Sequence, residues 1–468
     1  MQERMISSRI SYVTFACALL LVALIEGLYA QNVAAAGTAS HMSPHATIQP
    51  HHIFVSNTEA STYKCQSNTA AVRCYGPSQI RNAYSIQPLL NAGITGKGTT
   101  IVILDAYGAP NIKTDLHAFD QNFGLKDPIL NVIPGEGSLP TFDPNNLLDQ
   151  GWAGEIALDV EWSHVVAPDA TIDLVIAKTS NDSDLVASLN YAVSKNLGDT
   201  VSMSFGEDEN CEDAASNAAW HSAFKAATQK GITLFASAGD NGAAQVNCAG
   251  TGYEQVASSP AVDPLVTAVG GTQLVADATT GAYQSETTWN EPDFGAAGGG
   301  GYSHVYAKPF YQYGNKNIIG NGRGEPDVAY NAAINGGVLT VTSDSGYGPG
   351  AVLISGGTSS GSPQWAGIAA LANQLGHKRL GLINPYLYLA FGLSKSIYSS
   401  TFHDITTGTN GITLVDAYGN IQTFTGYNAQ KGWDATTGWG SPIVSKFVPL
   451  ISLLTFGSQY HGQIAGMK

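Results

Sequence analysis

The 468-residue chain is long enough to bury a large core, and its charge balance excludes some classes of partner. Charged residues make up 12% of the chain, against roughly 25% in typical soluble domains, and the formal net charge is −15. Because nucleic acid and anionic membranes are bound by clustered Lys and Arg, neither is expected as a partner. With only 21 Lys and Arg, the chain would gain little excess positive charge when its carboxyl groups are protonated in acid.

The first thirty residues have the order typical of a secretory signal. Arg4 and Arg9 precede an apolar run over about residues 12–25, and the stretch Gly27-Leu28-Tyr29-Ala30, which begins and ends with a small residue, follows it. An uncleaved membrane anchor is the alternative, but the run is short for a span and Glu26 interrupts it. We therefore predict a signal peptide over residues 1–30, a secreted, extracellular protein and no stable membrane insertion.

Residues 31–74 are polar and carry no sustained apolar period, which predicts a loosely ordered leader or short pro-segment. The pair His51-His52 in this stretch has no other metal-binding residue nearby. It therefore fits a solvated leader better than a metal site.

Four cysteines remain after the predicted signal, and an even number in an exported chain permits two disulfides. They are Cys65, Cys74, Cys211 and Cys248. The spacing suggests Cys65 with Cys74 and Cys211 with Cys248, although the sequence leaves all three pairings open.

From about residue 75 the pattern alternates between apolar strands and helices. In chain order we predict a helix over 78–92, a strand over 99–104, a helix over 155–165, a strand over 171–177, a helix over 183–196, a strand over 200–205, a helix over 211–230, strands over 233–237 and 266–270, loops and short strands over about 280–347, and a helix over 363–375. Strands that are apolar along their length and separated by helices indicate a parallel sheet with helices on both faces. We predict one large α/β domain over residues 75–455 and a tail over 456–468.

Two segments of this domain carry carboxyl groups in unusual positions. In GWAGEIALDVEW, Glu155 and Asp159 lie one helical turn apart on one face, where they could share a proton, or form an exposed acidic face. Asp240 follows the strand 233–237 on a Gly-rich turn. It is a turn residue or, if held protonated, a hydrogen-bond donor to an oxyanion.

The stretch ISGGTSSGSPQWAG, residues 354–367, places small hydroxyl residues at a predicted helix N-terminus. They could cap the helix, and the same N–H groups and positive dipole end could also stabilise a developing oxyanion. Capping and catalysis are compatible here.

GGTSSGSP resembles the nucleophile motif of subtilisin-like serine peptidases, in which the serine after Gly-Thr corresponds to Ser359. The histidine segment of those enzymes is missing, Glu155 and Asp159 stand in its place, and Asp240 occupies the position of their oxyanion-hole Asn. This combination resembles the sedolisin family of serine-carboxyl peptidases. The resemblance covers about residues 78–445 and includes VTAVGGT, GGGYS and RGEPDVAYNA.

The resemblance implies a subtilisin-like α/β fold, a mostly parallel sheet with helices on both faces in a single catalytic domain. It implies Ser359 as nucleophile, Glu155 as general base, Asp159 as its proton-coupled partner and Asp240 as oxyanion donor. The expected protein is a secreted, acid-acting endopeptidase, a monomer that cleaves unfolded proteins or peptides through an acyl-enzyme.

Near the C-terminus, HDITTG and QKGWD resemble the calcium loop of the same family. The resemblance implies one structural Ca²⁺, with carboxylates from Asp404 and Asp434 and main-chain carbonyls from Ile405, Gln430 and Gly432. Hard oxygen ligands of this mixed kind are those that calcium prefers.

Some positions depart from the family pattern, and alternatives remain. Asp105 and Phe205 stand where some relatives place a Glu and a Trp that extend the catalytic hydrogen-bond network. The chain could be a tripeptidyl-peptidase of the same family, or a catalytically silent secreted binding protein on the same fold. It could also be an ordinary subtilisin that uses His164 or His221 as its base.

Overall fold

The computed structural model describes residues 46–47 and 51–455. The predicted signal peptide over residues 1–30 and the predicted tail over 456–468 lie outside the described residues. Among the described residues, no helix is both long and apolar enough to cross a membrane.

The elements agree in type and order with the alternating pattern of the sequence. The helices are α1 (Pro77–Ala83), α2 (Gln87–Asn91), α3 (Ile112–Phe123), α4 (Leu147–Val166), α5 (Asp182–Lys195), α6 (Ala214–Gln229), α7 (Gly361–Gly376), α8 (Asn384–Leu393), α9 (Lys395–Thr401) and α10 (Val444–Leu454). The strands are β1 (His51–Ser56), β2 (Cys74–Tyr75), β3 (Thr100–Ala106), β4 (Leu130–Pro134), β5 (Thr171–Ala177), β6 (Thr200–Met203), β7 (Glu207–Asp208), β8 (Thr233–Ser237), β9 (Gln245–Val246), β10 (Tyr253–Glu254), β11 (Ser258–Ser259), β12 (Thr267–Ala276), β13 (Tyr283–Thr288), β14 (Asn290–Glu291), β15 (Ala296–Ala297), β16 (Gly301–Ala307), β17 (Gly322–Glu325), β18 (Val328–Asn331), β19 (Gly337–Thr342), β20 (Ala351–Gly356), β21 (Phe402–His403), β22 (Ile412–Val415), β23 (Ile421–Phe424) and β24 (Ser441–Pro442).

An eight-stranded sheet forms the centre of the domain, with the order β13-β12-β8-β6-β3-β5-β4 and β18 beside β12. All its pairings are parallel except that of β12 with β13. The central strands are buried along their length, as their apolar sequences predict. The mostly parallel sheet confirms the predicted α/β fold class. Both faces of such a sheet have to be covered, and helices cover them in α/β folds.

Helix α4 is buried on nearly every side, including its carboxyl-bearing residues. The Asn146 side chain caps its N-terminus by accepting a hydrogen bond from Leu148 N at 2.9 Å. The helix packs closely against α7 at Gly367. A Cβ atom added to this glycine would lie only 2.8 Å from the Val166 side chain, so a larger residue would not fit there. A helix that is buried all round belongs to a protein core rather than to an acidic surface.

A second sheet has the order β1-β20-β19-β2 and begins in the predicted leader. Strand β1 pairs antiparallel with β20, and the Cys65–Cys74 disulfide links the next part of this segment to β2. The expectation of a loosely ordered leader over residues 31–74 is therefore corrected for its described part from His51 onward. Its polar residues are held by main-chain pairing with a distant strand, which local composition does not reveal.

The structure changes one predicted element and adds detail to another. The predicted helix over 78–92 is divided into α1 and α2, because Ser85 between them has a φ of 58°, a left-handed conformation that interrupts a helix. The region over 280–347, predicted as loops and short strands, contains β18, a short strand that joins the central sheet. The suggested disulfides are confirmed, with Cys65 bonded to Cys74 and Cys211 to Cys248.

Candidate active site

Ser359 lies between a buried strand and a buried helix. Strand β20 ends at Gly356, residues Thr358–Ser360 form a short 3₁₀ turn, and α7 follows directly. Ser359 is 7% exposed, and its Oγ is 3.4 Å from the main-chain oxygen of Ser204 just after β6. The hydroxyl is therefore held in a shallow pocket at the carboxyl edge of the central sheet, where ligands of open α/β sheets bind.

Glu155 and Asp159 extend from α4 into the same region and are both buried, 1% and 0% exposed. This excludes the exposed acidic face that the spacing also allowed. Burial, followed by the charge of Asp105, raises the pKa of both carboxyls well above the ordinary range. A hydrogen bond from the Ser359 hydroxyl acts in the opposite direction and favours the ionised form of Glu155.

Asp105, at the end of β3, adds a third carboxyl to this group. Both of its carboxyl oxygens are buried, with no hydrogen-bond partner among the described residues. Burial raises the pKa of Asp105 to about 8. From the sequence, Asp105 is only a shorter substitute for the Glu of some relatives. The signal that could have placed it in the site is an acidic residue near the end of an otherwise apolar strand.

Asp240 faces Ser359 from the turn after β8. Its Oδ1 accepts hydrogen bonds from Thr358 N at 2.8 Å and from Thr358 Oγ1 at 2.7 Å, which fixes the carboxyl beside the nucleophile. Gly357 provides the space, because its φ is 109° and a Cβ there would lie 2.5 Å from Asp240 Oδ2. Burial raises the pKa of Asp240, partly offset by the nearby imidazole of His51.

The two histidines considered as subtilisin-type bases have other partners. His164 is buried in α4 with Nε2 3.2 Å from Asp120 Oδ1, and His221 on α6 has Nδ1 2.8 Å from Asp263 Oδ2. The histidine that does reach the site is His51 on β1, whose Nε2 is 3.6 Å from Asp240 Oδ2. Of the acidic and imidazole groups considered as bases, Glu155 is the one whose pKa responds to a hydrogen bond from Ser359.

A large cavity lies away from this site and is not lined by Ser359, Glu155 or Asp240. It has a volume of about 1280 Å³ and lies between α6, α8 and the loop after Phe310. Ser359 and Asp240 line instead a small pocket together with Thr47, Ser204 and Gly206. Cavity size therefore does not identify the catalytic position in this chain, whereas the chemistry of the side chains does.

The two candidate calcium loops lie against each other. Asp404 Oδ1 accepts hydrogen bonds from Gly432 N at 3.0 Å and from the Tyr398 hydroxyl at 2.9 Å. Asp434 Oδ2 accepts one from Gln430 N at 2.9 Å.

Within the described part of the chain, the carbonyls of Ile405, Gln430 and Gly432 accept no hydrogen bond. Unpaired carbonyls beside two carboxylates are a donor set of the kind calcium takes, so these residues fit a hard cation.

Comparison with known proteins agrees with this geometry. Residues 151–440 match the family model described as the subtilase family. The chain is 33% identical over 392 residues to kumamolisin of Bacillus sp. (strain MN-32), a match that covers 81% of this chain and 64% of that protein. It is 31% identical over 379 residues to sedolisin of Pseudomonas sp. (strain 101), covering 78% and 59%.

A solved structure of Pseudomonas sedolisin, a serine-carboxyl proteinase complexed with two molecules of pseudo-iodotyrostatin, superposes with a TM-score of 0.69 and 29% identity, covering 83% of this chain and 100% of that one. The chain therefore belongs to the subtilase family and, within it, to the sedolisins. It spans slightly less than two thirds of the length of the curated relatives kumamolisin and sedolisin.

Proposed function

We propose that this chain is an acid-acting serine-carboxyl endopeptidase that hydrolyses peptide bonds through an acyl-enzyme on Ser359. The observation that carries the proposal is the convergence of Ser359, Glu155 and Asp240 from three separate elements at one edge of the central sheet. Family membership and the sedolisin resemblance support the same assignment of roles.

In the proposed reaction, Ser359 Oγ attacks the carbonyl carbon of the peptide while Glu155 accepts the hydroxyl proton. Asp240, in its neutral form, donates a hydrogen bond to the oxygen that becomes negative in the tetrahedral intermediate. Glu155 then returns the proton to the leaving amine, and the acyl-enzyme forms. Water repeats the sequence with Glu155 as base, and Ser359 leaves as the free hydroxyl.

Asp159 and Asp105 would act behind Glu155. Three buried carboxyls cannot all ionise together, because like charges in a medium of low polarity repel strongly. The group therefore retains protons, and Asp159 would orient Glu155 and exchange a proton with it. Activity in acid requires Glu155 to give up its proton while Asp240 keeps its own, and the hydrogen bond from the Ser359 hydroxyl favours the ionised form of Glu155.

The proposal includes secretion, unfolded proteins or peptides as substrates, and a monomeric enzyme. The two disulfides support an oxidising compartment. The choice of endopeptidase over tripeptidyl-peptidase is the open part of the proposal, since one relative is named tripeptidyl-peptidase sed4, of Aspergillus fumigatus.

Calcium is proposed as a structural ion. Asp404 and Asp434 would supply carboxylates, and Ile405, Gln430 and Gly432 would supply carbonyls. When bound, the ion would neutralise charge and join the loop after β21 to the loop before β24.

Digestion of acid-unfolded casein between about pH 3 and pH 5 tests the proposal, with Ser359→Ala as the matched variant. Internal fragments from the unmodified chain and none from the variant are expected. Equal digestion by both proteins, or by neither, would favour the silent binding protein. Release of tripeptides alone would favour the tripeptidyl-peptidase.

A further inference from the structure

A second concave site lies away from Ser359, in the large cavity between α6, α8 and the loop after Phe310. Its volume of about 1280 Å³ exceeds the roughly 300–1,000 Å³ of a typical small-molecule pocket, so it has room for several residues of an extended chain. Four large apolar side chains at this cavity are between 59% and 80% exposed: Phe310, Tyr313, Leu389 and Leu393. Exposed apolar side chains that gather at one concave surface indicate an interaction site.

The inner wall of the cavity is built from aromatic rings that hold one another in place. The ring of Trp439 is at its centre, with centroid distances of 5.2, 5.4 and 5.6 Å to the rings of Tyr398, Phe391 and Tyr388. All four side chains are buried. Because the rings pack edge to face, the wall is already formed before a ligand binds.

Two hydrogen-bond donors in the lining lack a partner. Trp439 is only 5% exposed, and its Nε1 has no acceptor among the described residues. The Nδ2 of Asn315 is likewise buried and unpaired within the part of the chain that the structure describes. An indole N–H can only donate, so what Trp439 lacks is an acceptor. Main-chain carbonyls of a bound peptide are acceptors of the required kind, and the cost of a buried unpaired donor favours their binding.

The charge of this cavity is opposite to that of the protein as a whole. Among the described lining residues, only Asp404 carries a carboxyl. Four lysines line the same cavity, each on a different element: Lys225 on α6, Lys316 in the loop before β17, Lys395 at the start of α9 and Lys431 in a candidate calcium loop. The ion pairs formed by the described residues use none of these lysines. The cavity is therefore an electropositive site on a chain with a net charge of −15, and it complements an anionic ligand.

We propose that this cavity binds an acidic peptide segment that carries aromatic or aliphatic side chains, and that it holds a protein substrate while Ser359 cleaves another part of the same substrate. The role given to the bound segment rests on the proposed peptidase function. Carboxylates of the segment would pair with the lysines, its apolar side chains would contact the exposed apolar residues of the cavity, and its carbonyls would accept hydrogen bonds from the two unpaired donors.

The placement of the charges favours a peptide over other anionic ligands. The four lysines come from four separate elements, so a single carboxylate head group, as in a fatty acid, would pair with only part of the set. An anionic polysaccharide carries repeated charges but has no apolar side chains to contact Phe310, Leu389 and Leu393. A peptide with both acidic and apolar residues satisfies both features of the cavity.

Binding of a labelled peptide to the full chain tests the site without requiring turnover. The probe is a fluorescein-labelled peptide in which Glu alternates with Phe or Leu, measured by fluorescence anisotropy at about pH 5.5, where exposed Glu is ionised. In the background Ser359→Ala, the pair Lys316→Gln/Lys395→Gln should weaken binding by about fivefold to tenfold. The matched pair Lys97→Gln/Lys113→Gln removes two exposed lysines outside the cavity and should leave the affinity unchanged.

The exposed apolar residues of the cavity are tested in the same way. Leu389→Ser changes one of these side chains and should weaken binding of the probe by about threefold or more. Leu453→Ser, which changes an exposed leucine of α10 outside the cavity, is the control. Every sample contains the same added Ca²⁺, because Asp404 and Gly432 line the cavity and belong to the candidate calcium loops.

Two quenched fluorescent substrates measure whether the site recruits substrate. Both contain the same cleavable sequence, and one is extended by the acidic, apolar segment through Gly/Ser linkers of several lengths. At its best linker length the extended substrate should have a KM about fivefold to tenfold lower with an unchanged kcat, because the added binding is made away from the reacting bond. This difference in KM should disappear in Lys316→Gln/Lys395→Gln and persist in Lys97→Gln/Lys113→Gln.

Equal probe affinity in the cavity variants and their controls, or equal KM for both substrates at every linker length, would overturn the inference. Displacement of the probe by oleate or polygalacturonate at a lower concentration than by the unlabelled peptide would overturn the choice of a peptide. Probe binding that depends on Lys316 and Lys395, together with no cleavage of either substrate by the unmodified chain, would contradict the proposed function alone.

Discussion

Asp240 Oδ1 accepts hydrogen bonds from both the main-chain N–H and the hydroxyl of Thr358, the residue before Ser359. This arrangement fixes the carboxyl beside the nucleophile and leaves Oδ2 for another partner. It also predicts how the site should respond to substitution, since an Asn could keep the acceptor at Oδ1 and place an N–H at the second position.

Replacement of Asp240 tests the oxyanion role. Asp240→Ala is expected to lower kcat by about 10²–10³-fold, as when an oxyanion donor is removed. Asp240→Asn should lose less and keep its activity to higher pH, because an amide donates at any pH whereas a carboxyl must be protonated. The measurement is the pH profile of kcat for a quenched fluorescent peptide. A profile for Asn that declines at the same pH as the unmodified chain would contradict this role.

Replacement of Glu155 tests the general base. Glu155→Gln should lower kcat by about 10²–10⁴-fold with little change in peptide binding, since only proton transfer is lost. Glu161→Gln is the matched control on the same helix, because Glu161 is also buried but accepts hydrogen bonds from Val341 N. Similar losses in both variants would mean that α4 is merely disturbed.

Stability should fall as pH rises from about 6.5 to 8. Burial raises the pKa of Asp105, Glu212 and Glu325 to about 8, so the folded chain keeps protons that the unfolded chain has lost. Unfolding then releases protons, and the free energy of unfolding decreases with pH by up to about 1.4 kcal/mol per unit for each group. Below about pH 6.5, His52 and His403 oppose this decrease in the free energy of unfolding. Burial lowers their pKa values to about 4, so they bind protons in the unfolded chain before they do so in the folded chain.

Thermal unfolding at several pH values checks this dependence. Glu212→Gln should flatten the decline in Tm above about pH 6.5, because it removes one group that retains a proton in the folded state. The exposed Asp293→Asn should leave the slope unchanged. A Tm that rises with pH in this window would contradict the burial of these carboxyls.

Calcium removal tests the proposed ion site. A chelator should lower Tm, and added Ca²⁺ should restore it, with about 2.7 kcal/mol gained at a free concentration one hundred times Kd. Asp404→Asn should abolish the effect of added calcium, whereas Asp293→Asn should keep it. A Tm of the unmodified chain that does not respond to chelator or calcium would remove the ion from the proposal.

A buried ion pair in the RGEPDVAYNA motif should contribute strongly to stability. Arg323 Nη2 is 2.6 Å from Asp327 Oδ2, and both side chains are fully buried. Arg323→Met should cost about 3–5 kcal/mol, because it leaves the Asp327 carboxylate buried without its cation. The matched variant Arg379→Met breaks a partly exposed pair with Asp199 and should cost about 1 kcal/mol or less. Urea unfolding of both variants provides the comparison.

Much of the fold could be predicted because its signals are local. Strands β5 and β8 were predicted with their observed bounds, since a continuous apolar run between turn residues identifies a buried strand. The break at Ser85 was missed because a single left-handed residue leaves no apolar pattern.

For the candidate site, too, local sequence signals predict one part and leave another part open. The motifs, together with the resemblance to the sedolisin family, predict Ser359, Glu155, Asp159 and Asp240 as the candidate catalytic residues. The sequence left open whether Glu155 and Asp159 are exposed, and only the packing of α4 between the central sheet and α7 decided that they are buried.

What the sequence determined by itself was the order of the elements, the family and the identity of the candidate catalytic side chains. The tertiary structure alone decided that Asp105 joins the buried carboxyl group and that His51 lies against Asp240. The reason is physical: His51 pairs with Gly356 and contacts Asp240 across long stretches of chain, and such contacts depend on complementary main-chain edges and charges that no local pattern encodes.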